Sequence, residues 1–457
     1  MVNILLSILS GTLLSAAFAP LNKWWLAPIA LGIHIFAINR SNRKILVAFL
    51  FGLSFNLLLL HWTSIYVGST PWLILSLGLT LFYLPLALVS RWGIGAYPLI
   101  FLIVEELRNH FPFGGFGWAR IAYSQPDAPF SIIARYGGAA SLSAILLLLA
   151  LFLFRLTQHR LQLWILIPLL LTLVPINVAT HASTSALLIQ GNVPTYGLDF
   201  NARATQVFFN HVKESQKALV QHPNVDFLLW PENAVDVDPF TDIQVRQALD
   251  SFTSPMIVGA IVEKHAKLYN TSILWTKEAQ IVYTKQHLTP FGEYIPLRAL
   301  ASKISPLTNE VTDFSPGNHP VYFKVGQATV APIICYELLD DLIVRNAAKG
   351  SNILAVQTNS ATFGRSAESA QQLSITRIRA IEHSRNVLSV STTGYSAIID
   401  YQGKIIEKTK MGVADHLYAR VGLISEQSPL DRYGDRALVI VLIWLLIVAH
   451  RGFAYRR

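Results

Sequence analysis

The sequence is short of charge and nearly free of cysteine. Only 14% of its 457 residues are charged, whereas typical soluble domains contain roughly 25%. Hydrophobic residues make up 52%, and the mean hydropathy is +0.43. These values exclude an ordinary soluble chain and indicate that lipid is part of the protein's solvent. Because Cys335 is the single cysteine, no intramolecular disulfide can form, and the cysteine count does not indicate a redox compartment.

Motifs for binding metals and nucleotides are also missing. The 13 histidines form no cluster with the spacing of metal ligands, and the sequence has no Gly-rich phosphate loop of the Walker type. We therefore expect no metal and no cofactor. The formal net charge of +9 raises the question of a nucleic-acid partner. Much of this charge lies in short loops between apolar segments, so we expect no nucleic-acid binding.

Eight apolar segments have the length of a membrane span, since ~20 helical residues cross a hydrocarbon core of ~30 Å. The first segment has no Lys or Arg at its start and no obvious cleavage site, so we interpret it as a retained span and not as a signal peptide. The segments lie near residues 3–19, 23–39, 45–66, 70–90, 93–108, 132–155, 161–180 and 437–453.

Basic residues between these segments predict their orientation. Arg and Lys follow the second, fourth, sixth and eighth spans, and such residues are in excess in cytoplasmic loops. We therefore divide the chain into a seven-span region at 1–182, an extracytoplasmic domain at 183–435, and a closing span with a cytoplasmic tail at 436–457. The basic residues are Arg40, Arg43, Lys44, Arg91, Arg155, Arg160, Arg451, Arg456 and Arg457.

The loop after the fifth span does not fit this charge pattern. It follows Arg108, contains Arg120, and reads FPFGGFGWARIAYSQ at residues 111–125. Its Gly and aromatic content suits a re-entrant or interfacial segment, and an ordinary lipid-facing loop is an equal alternative from composition alone.

Between residues 183 and 435 the hydrophobic pattern changes to short strands and amphipathic helices. Two helices are predicted from residues 202 and 366, where apolar residues recur at spacings of three and four. Strands alternating with helices predict an α/β layered domain. The predicted strands lie at 185–192, 226–232, 255–263, 270–276, 280–288, 329–337, 352–359 and 386–400.

Apolar runs within three of the predicted strands end in a potentially catalytic side chain: Glu232, Lys285 and Cys335. Catalytic groups in open α/β sheets gather beyond strand ends. A thiol of pKa ~8.5 is only slightly ionised at pH 7, so a nucleophilic cysteine needs a base or a nearby cation. Glu232 would accept the thiol proton, and Lys285 would favour the thiolate and stabilise an oxyanion. Taken singly, they also fit a buried structural thiol, a capping carboxylate and a solvated lysine, but their joint occurrence favours catalysis.

Three motifs resemble the nitrilase superfamily, whose members use a Glu-Lys-Cys triad. They are WPEN at 230–233, KQHLTPFGEYIP at 285–296, and Cys335 followed by Tyr336 and Glu337. Together with the seven preceding spans and the FGGFGWARIAYSQ loop, they look closest to its membrane branch, the bacterial apolipoprotein N-acyltransferases. This resemblance covers nearly the whole chain. It implies a nitrilase-like αββα sandwich on an eight-helix transmembrane bundle in the bacterial cytoplasmic (inner) membrane, with the catalytic domain on the extracytoplasmic face.

The resemblance also implies roles for individual residues. Glu232 matches the general base, Lys285 the electrostatic stabiliser, and Cys335 the nucleophile that carries the acyl group as a thioester. The implied partners are a phospholipid acyl donor, a diacylglyceryl-modified apolipoprotein acceptor and the bilayer, and we expect a monomer. The supporting or substrate-binding positions are Glu293, Tyr336, Glu337, Asn270 and Phe200.

The chain departs from the family pattern at three places. Thr362, in NSATFG, replaces an aromatic residue, STTG at 391–394 replaces a family Thr-Asn-Thr-Gly segment, and Phe200 stands near an expected Trp. These departures bear on donor and acceptor preference and leave the triad intact.

Two other functions remain open from the residues. A membrane-anchored nitrilase-type amidase or hydrolase acting on a small C–N substrate would use the same triad with water as acceptor, although one span would suffice to anchor it. A transporter or receptor would need intramembrane ionisable residues, but Glu105 and Glu106 lie near a span end and few others are available.

Overall fold

The computed structural model describes residues 1–174, 178–193, 205–304, 308 and 311–454. The chain forms two compact units. The first comprises Met1–Asn177 with Ser428–Arg457, and the second comprises Val178–Gln427. The division at 182/183 and 435/436 stays a prediction.

The first unit is helical in its described part, and the second contains both helices and strands. Helix α8 is interrupted where Gly137 and Gly138 leave the helical conformation. In chain order the α-helices are Val2–Ala17 (α1), Leu26–Arg40 (α2), Lys44–Leu59 (α3), Ser64–Val67 (α4), Ser69–Leu81 (α5), Val89–Trp92 (α6), Tyr97–His110 (α7), Ala134–Leu156 (α8), Gln206–Gln221 (α9), Ile243–Asp250 (α10), Arg298–Ile304 (α11), Asp341–Lys349 (α12), Glu368–His383 (α13), Pro429–Tyr433 (α14) and Arg436–Ala454 (α15). Single-turn and longer 3-10 helices lie at His61–Thr63, Leu84–Leu88, Ile94–Ala96, Gly117–Ala119, Ile121–Ser124, Ser131–Ile133, Leu163–Leu173, Cys335–Leu339 and Ala361–Phe363.

Helical structure lies within every one of the eight predicted spans. In the described part of the chain, two helical stretches, Ser69–Trp92 and Ser131–Leu156, are long and apolar enough to cross a membrane. Four shorter apolar helices accompany them: Val2–Ala17, Leu26–Arg40, Lys44–Leu59 and Leu163–Leu173. The bundle of eight transmembrane helices therefore stays a prediction.

The loop after α7 folds back into the first unit. Its second half, residues 117–125, is buried, including the guanidinium group of Arg120. The backbone N–H of Ile121 donates to Glu105 Oε1 at 2.8 Å, and Arg120 Nη2 lies 2.6 Å from Glu106 Oε1. These contacts favour the re-entrant interpretation over a lipid-facing loop.

The second unit contains two six-stranded sheets. The first has the order β12-β1-β2-β3-β4-β5, and the second β11-β10-β9-β8-β7-β6. Strands β1–β3 are mutually parallel, as are β7–β9, and the remaining pairs are antiparallel. The strands are Ala182–Gln190 (β1), Phe227–Leu229 (β2), Met256–Lys264 (β3), Lys267–Trp275 (β4), Gln280–Thr284 (β5), Phe323–Val325 (β6), Ala328–Ile334 (β7), Ile353–Thr358 (β8), Val387–Ser391 (β9), Ala397–Ile399 (β10), Ile405–Lys408 (β11) and Asp415–Leu423 (β12).

The apolar residues of these strands build two cores. In β1, Ala186 and Leu188 pack in a core shared by both sheets, while Leu187 and Ile189 pack with α9 and α10. This division follows from the two-residue period of a strand, which points successive side chains to opposite faces. Helices α12 and α13 contact the second sheet. The layers are therefore helix, sheet, sheet and helix, which confirms the predicted nitrilase-like α/β sandwich.

Strand directions bring the predicted site residues together. Strand β5 runs antiparallel to β4, which runs antiparallel to β3, so β5 ends at the same edge of the sheet as β2. Glu232 lies three residues beyond the end of β2, and Lys285 directly follows β5. In the second sheet Cys335 directly follows β7 and begins a 3-10 helix, so it is not the strand residue we predicted.

Gly259 of β3 sets the position of the segment that carries Glu232. A Cβ atom at Gly259 would lie 2.2 Å from the carbonyl oxygen of Pro231 and 2.7 Å from Cα of Glu232. Both neighbours are backbone atoms, so Gly259→Ala must displace the chain. We expect a destabilisation of about 1–3 kcal/mol, which corresponds to a fall in Tm of about 2–10 °C in a thermal-unfolding scan.

The matched control is Gly78→Ala, because a Cβ atom there would have no neighbour within 4 Å. We expect Gly78→Ala to leave Tm unchanged or slightly raised. Equal Tm values for the two variants would contradict the close approach of Gly259 to Pro231.

Candidate active site

A buried lysine is the centre of the site. Lys285 Nζ lies 3.2 Å from Glu232 Oε1 and 2.8 Å from Glu293 Oε2. Asn270 Nδ2 donates to Glu232 Oε1 at 2.8 Å and to Glu293 Oε1 at 2.6 Å. The backbone N–H of Thr289 donates to Glu293 Oε2 at 2.7 Å. One ammonium group and one amide therefore hold both carboxylates.

The charges in this cluster stabilise one another. Burial by itself would lower the pKa of Lys285, but the carboxylates of Glu232 and Glu293 outweigh it and raise that pKa. Burial by itself would raise the pKa of Glu293, but the Lys285 ammonium outweighs it and lowers that pKa. Lys285 is thus a permanent cation. Both hydrogen bonds to the Glu232 carboxylate use Oε1, so among the described residues Oε2 has no such partner and can accept a proton.

The turn directly after β7 presents Cys335 in an unusual backbone conformation. Its φ angle is +50°, in the left-handed region, where a residue other than glycine costs of order 1–3 kcal/mol. The residue is partly exposed, while its neighbours Ile334 and Tyr336 are buried. Gln372 Nε2 of α13 lies 3.5 Å from Cys335 Sγ. The turn thus places a partly exposed cysteine between buried residues.

The resting sulfur is a thiol. Burial raises the pKa of Cys335 well above its usual range, and the charge of Glu232 raises it further. The ammonium of Lys285 lowers this pKa but does not compensate for those two effects. Lys285 thus favours the thiolate, as we expected, but less strongly than burial and the charge of Glu232 together favour the thiol. The thiolate must form when the proton leaves.

Glu337 connects the segment after β5 to the turn after β7. Its Oε1 accepts hydrogen bonds from the Tyr283 hydroxyl and the Gln286 backbone N–H, both at 2.6 Å. Its Oε2 accepts from the Ile334 backbone N–H at 2.7 Å. Because Gln286 follows Lys285 and Ile334 precedes Cys335, this fully buried carboxyl fixes the lysine and the thiol relative to each other.

Hydrogen bonds between the two sheets fix the position of Glu232, the third residue of the Glu-Lys-Cys cluster. Gln357 Nε2 of β8 donates to the Trp230 carbonyl oxygen at 2.7 Å, and the Thr392 hydroxyl lies 3.4 Å from the Glu232 carbonyl oxygen. These bonds hold the WPEN segment of the first sheet against the second sheet, where Cys335 lies.

The structure thus brings together six of the seven described residues that the sequence predicted for the site. Glu232, Lys285, Glu293 and Asn270 are in direct contact, the charges of the first three act on Cys335, and Glu337 orders the two flanking segments. Tyr336 is buried beside the His287 ring, at a centroid distance of 5.2 Å. The remaining candidate, Phe200, lies outside the described residues.

Two site residues were not predicted from the sequence. Gln372 contacts the sulfur, and Glu368 acts electrostatically on both Cys335 and Glu232. Both belong to the helix that the sequence predicts from residue 366, one turn apart on the same face. They were missed because polar residues on an amphipathic helix are usually assigned to its exposed face, whereas both of these side chains are buried. Among the described residues no group of His, Cys, Asp and Glu could hold a metal ion.

The fold and the Glu-Lys-Cys cluster define an enzyme of the carbon–nitrogen hydrolase class. Residues 192–424 match the family description "Carbon-nitrogen hydrolase", and residues 10–152 match "Apolipoprotein N-acyltransferase N-terminal domain". The chain belongs to the apolipoprotein N-acyltransferase family.

Relatives with that name match over most of their length. The apolipoprotein N-acyltransferase of Mycolicibacterium smegmatis is 30% identical, covering 97% of this chain and 84% of the relative. Those of Pasteurella multocida and Aquifex aeolicus are 27% and 30% identical, covering 99% and 90% of this chain and 96% of each relative. These matches confirm the predicted acyltransferase and favour it over the amidase alternative.

Alkylation of the single cysteine tests the ionisation state of the site. Because the pKa of the Cys335 thiol is raised, we expect its reaction with iodoacetamide at pH 7 to be slower than that of glutathione. The rate should rise with pH and continue to rise above pH 9, since thiolate forms only as pH approaches the raised pKa. Mass spectrometry of the Cys335 peptide measures the rate. A plateau below pH 8 would contradict the thiol assignment.

Proposed function

We propose that this protein transfers a fatty acyl chain from a phospholipid, through a thioester on Cys335, to the α-amino group of the diacylglyceryl-cysteine of an apolipoprotein. The observation that carries this proposal is a partly exposed cysteine whose thiol is acted on by a lysine paired with two carboxylates, in a chain of the apolipoprotein N-acyltransferase family. The partners are then a phospholipid donor and a lipoprotein acceptor. Because all three triad residues come from one chain, we propose that a monomer is active.

The first half-reaction forms the thioester. Oε2 of Glu232 accepts the thiol proton as Cys335 Sγ attacks the acyl ester carbonyl carbon. The ammonium of Lys285 stabilises the negative charge that develops on the carbonyl oxygen, together with a backbone N–H near Tyr336. Glu232 then returns the proton to the departing alcohol oxygen, and a lysophospholipid leaves. Asn270 and Glu293 act as positioning residues, because they hold the carboxylate and the ammonium in place.

The second half-reaction transfers the acyl group. The α-amino nitrogen of the acceptor attacks the thioester carbon, the C–S bond breaks, and the sulfur regains a proton. A covalent intermediate between two substrates gives ping-pong kinetics. Thr362, residues 391–394 and Phe200 are then the candidate positions for donor and acceptor preference.

We further propose that the eight apolar segments span the bacterial cytoplasmic membrane and that Val178–Gln427 lies on its extracytoplasmic face. The proposal rests on the basic residues after the second, fourth, sixth and eighth segments and on the helices found within all eight. Two lipid substrates explain the need for such an anchor, because lateral diffusion delivers them without transfer into water.

The decisive experiment looks for the acyl-enzyme. After incubation with phospholipid, we expect the peptide containing Cys335 to gain one acyl mass that neutral hydroxylamine removes. Cys335→Ala should abolish the adduct, and Glu232→Gln should slow its formation by about 10²–10⁴-fold because the proton acceptor is lost.

Glu278→Gln is the matched control, since Glu278 is an exposed carboxylate away from the cluster, and it should form the adduct normally. An unmodified Cys335 peptide in active, lipid-supplied protein would refute the thioester mechanism. Acceptance of a diacylated lipopeptide in preference to simple amides separates this activity from that of an amidase.

Cysteine labelling tests the orientation. In a Cys335→Ser background, an impermeant maleimide should label Glu278→Cys in intact spheroplasts. It should label Asn42→Cys and Gln158→Cys only after permeabilisation, since these exposed residues lie in the predicted cytoplasmic loops. The reverse pattern would overturn the proposed orientation.

A further inference from the structure

The first turn of α13 faces the sulfur of Cys335. Gln372 Nε2 donates to Cys335 Sγ at 3.5 Å, and Glu368 lies four residues earlier, on the same face of the helix. Both side chains are almost fully buried, at 4% and 2% relative exposure. Glu368 therefore lies inside the site and not on its solvent-exposed rim.

The carboxyl group of Glu368 is only partly satisfied. It accepts a hydrogen bond from the Ser360 hydroxyl, but its Oε2 is buried and has no hydrogen-bond partner among the described residues. An unsatisfied buried polar group destabilises the folded state. Burial raises the pKa of Glu368 to about 8, although the Ser360 hydrogen bond lowers it, and the charge of Glu232 raises it further. Glu368 therefore exchanges its proton near neutral pH.

The two half-reactions differ in the number of protons that the site must accept. In the first, the thiol loses one proton and the departing alcohol gains one, so Glu232 can serve both steps and no proton is released. In the second, an acceptor α-amino group of pKa ~8 begins largely as R–NH3+ and ends as an amide N–H. It must lose two protons, of which the sulfur takes one. The second proton needs another acceptor.

We propose that Glu368 binds the protonated α-amino group of the acceptor and takes its first proton, so that a neutral amine attacks the thioester. The N–C bond then forms and the C–S bond breaks with its electron pair going to sulfur. Glu232 transfers the second amine proton to that sulfur, and Glu368 releases the first to water. This inference rests on the proposed acyl transfer. It assigns the unpartnered Oε2 to the acceptor, because an attacking nitrogen must approach the carbon attached to Cys335 Sγ.

The test measures the two half-reactions separately in Glu368→Gln, which keeps the shape of the side chain but cannot accept the proton. Acyl-enzyme formation, followed by the mass of the Cys335 peptide, should change far less than lipopeptide transfer, because Glu368 acts on Cys335 through its charge and takes no proton in that step. Transfer from the isolated acyl-enzyme to a diacylglyceryl lipopeptide should fall about 10²-fold. Hydroxylamine is uncharged at neutral pH, so it should deacylate both proteins at equal rates.

These readouts distinguish the possible failures. Absence of an adduct on wild type refutes the proposed function itself. Normal lipopeptide transfer by Glu368→Gln, or a parallel loss of acylation or of hydroxylamine reaction, refutes the role of Glu368 alone. Glu278→Gln, an exposed carboxylate, should match wild type throughout.

A second variant keeps the test valid if Glu368→Gln does not fold. Ser360→Ala removes the hydrogen bond that lowers the pKa of Glu368, so that pKa should rise. The pH at which lipopeptide transfer reaches half its maximum should then move upward, with acyl-enzyme formation unchanged at each pH. An unshifted profile for lipopeptide transfer would refute the proposal.

Discussion

The site depends on a lysine that is buried with two carboxylates. Lys285 is 1% exposed, and removing one partner from a buried ion pair typically costs about 3–5 kcal/mol because the other charge stays uncompensated. The ammonium comes from the end of β5, Glu232 from beyond β2, and Glu293 from the following loop. Those three segments must therefore meet whenever the unit folds. The ion pairing that a buried lysine requires therefore both positions the candidate catalytic groups and stabilises the fold.

Hydrogen bonds extend this arrangement to the second sheet. Glu337 joins Gln286 to Ile334, and Gln357 joins the second sheet to Trp230. The nucleophile is thereby positioned relative to the lysine by bonds that do not involve the sulfur. Positioning bonds that leave the sulfur free matter in a covalent mechanism, because the sulfur changes from thiol to thioester while the groups around it must keep their positions.

The strands that precede Glu232, Lys285 and Cys335 could be predicted, because an apolar run that ends in a reactive residue is a local sequence pattern. The strands Phe323–Val325, Ile405–Lys408 and Asp415–Leu423 were missed; the first two carry too little periodicity in three or four residues. Glu293, Asn270 and Glu337 were found only through the family resemblance. Glu368 and Gln372 were not found, because their contact with the site arises from how α13 packs on the second sheet.

The thiol state of Cys335 has a consequence for the formation of the intermediate. A resting thiolate would lose its charge on acylation, and the ammonium of Lys285 would then lose one of its counter-charges. A thiol and a thioester are both neutral, so the pairing of Lys285 with Glu232 and Glu293 is the same before and after the first half-reaction. Formation of the acyl-enzyme then requires no electrostatic rearrangement around Lys285. The high pKa that makes Cys335 a poor nucleophile at rest thus suits a mechanism with two separate lipid substrates.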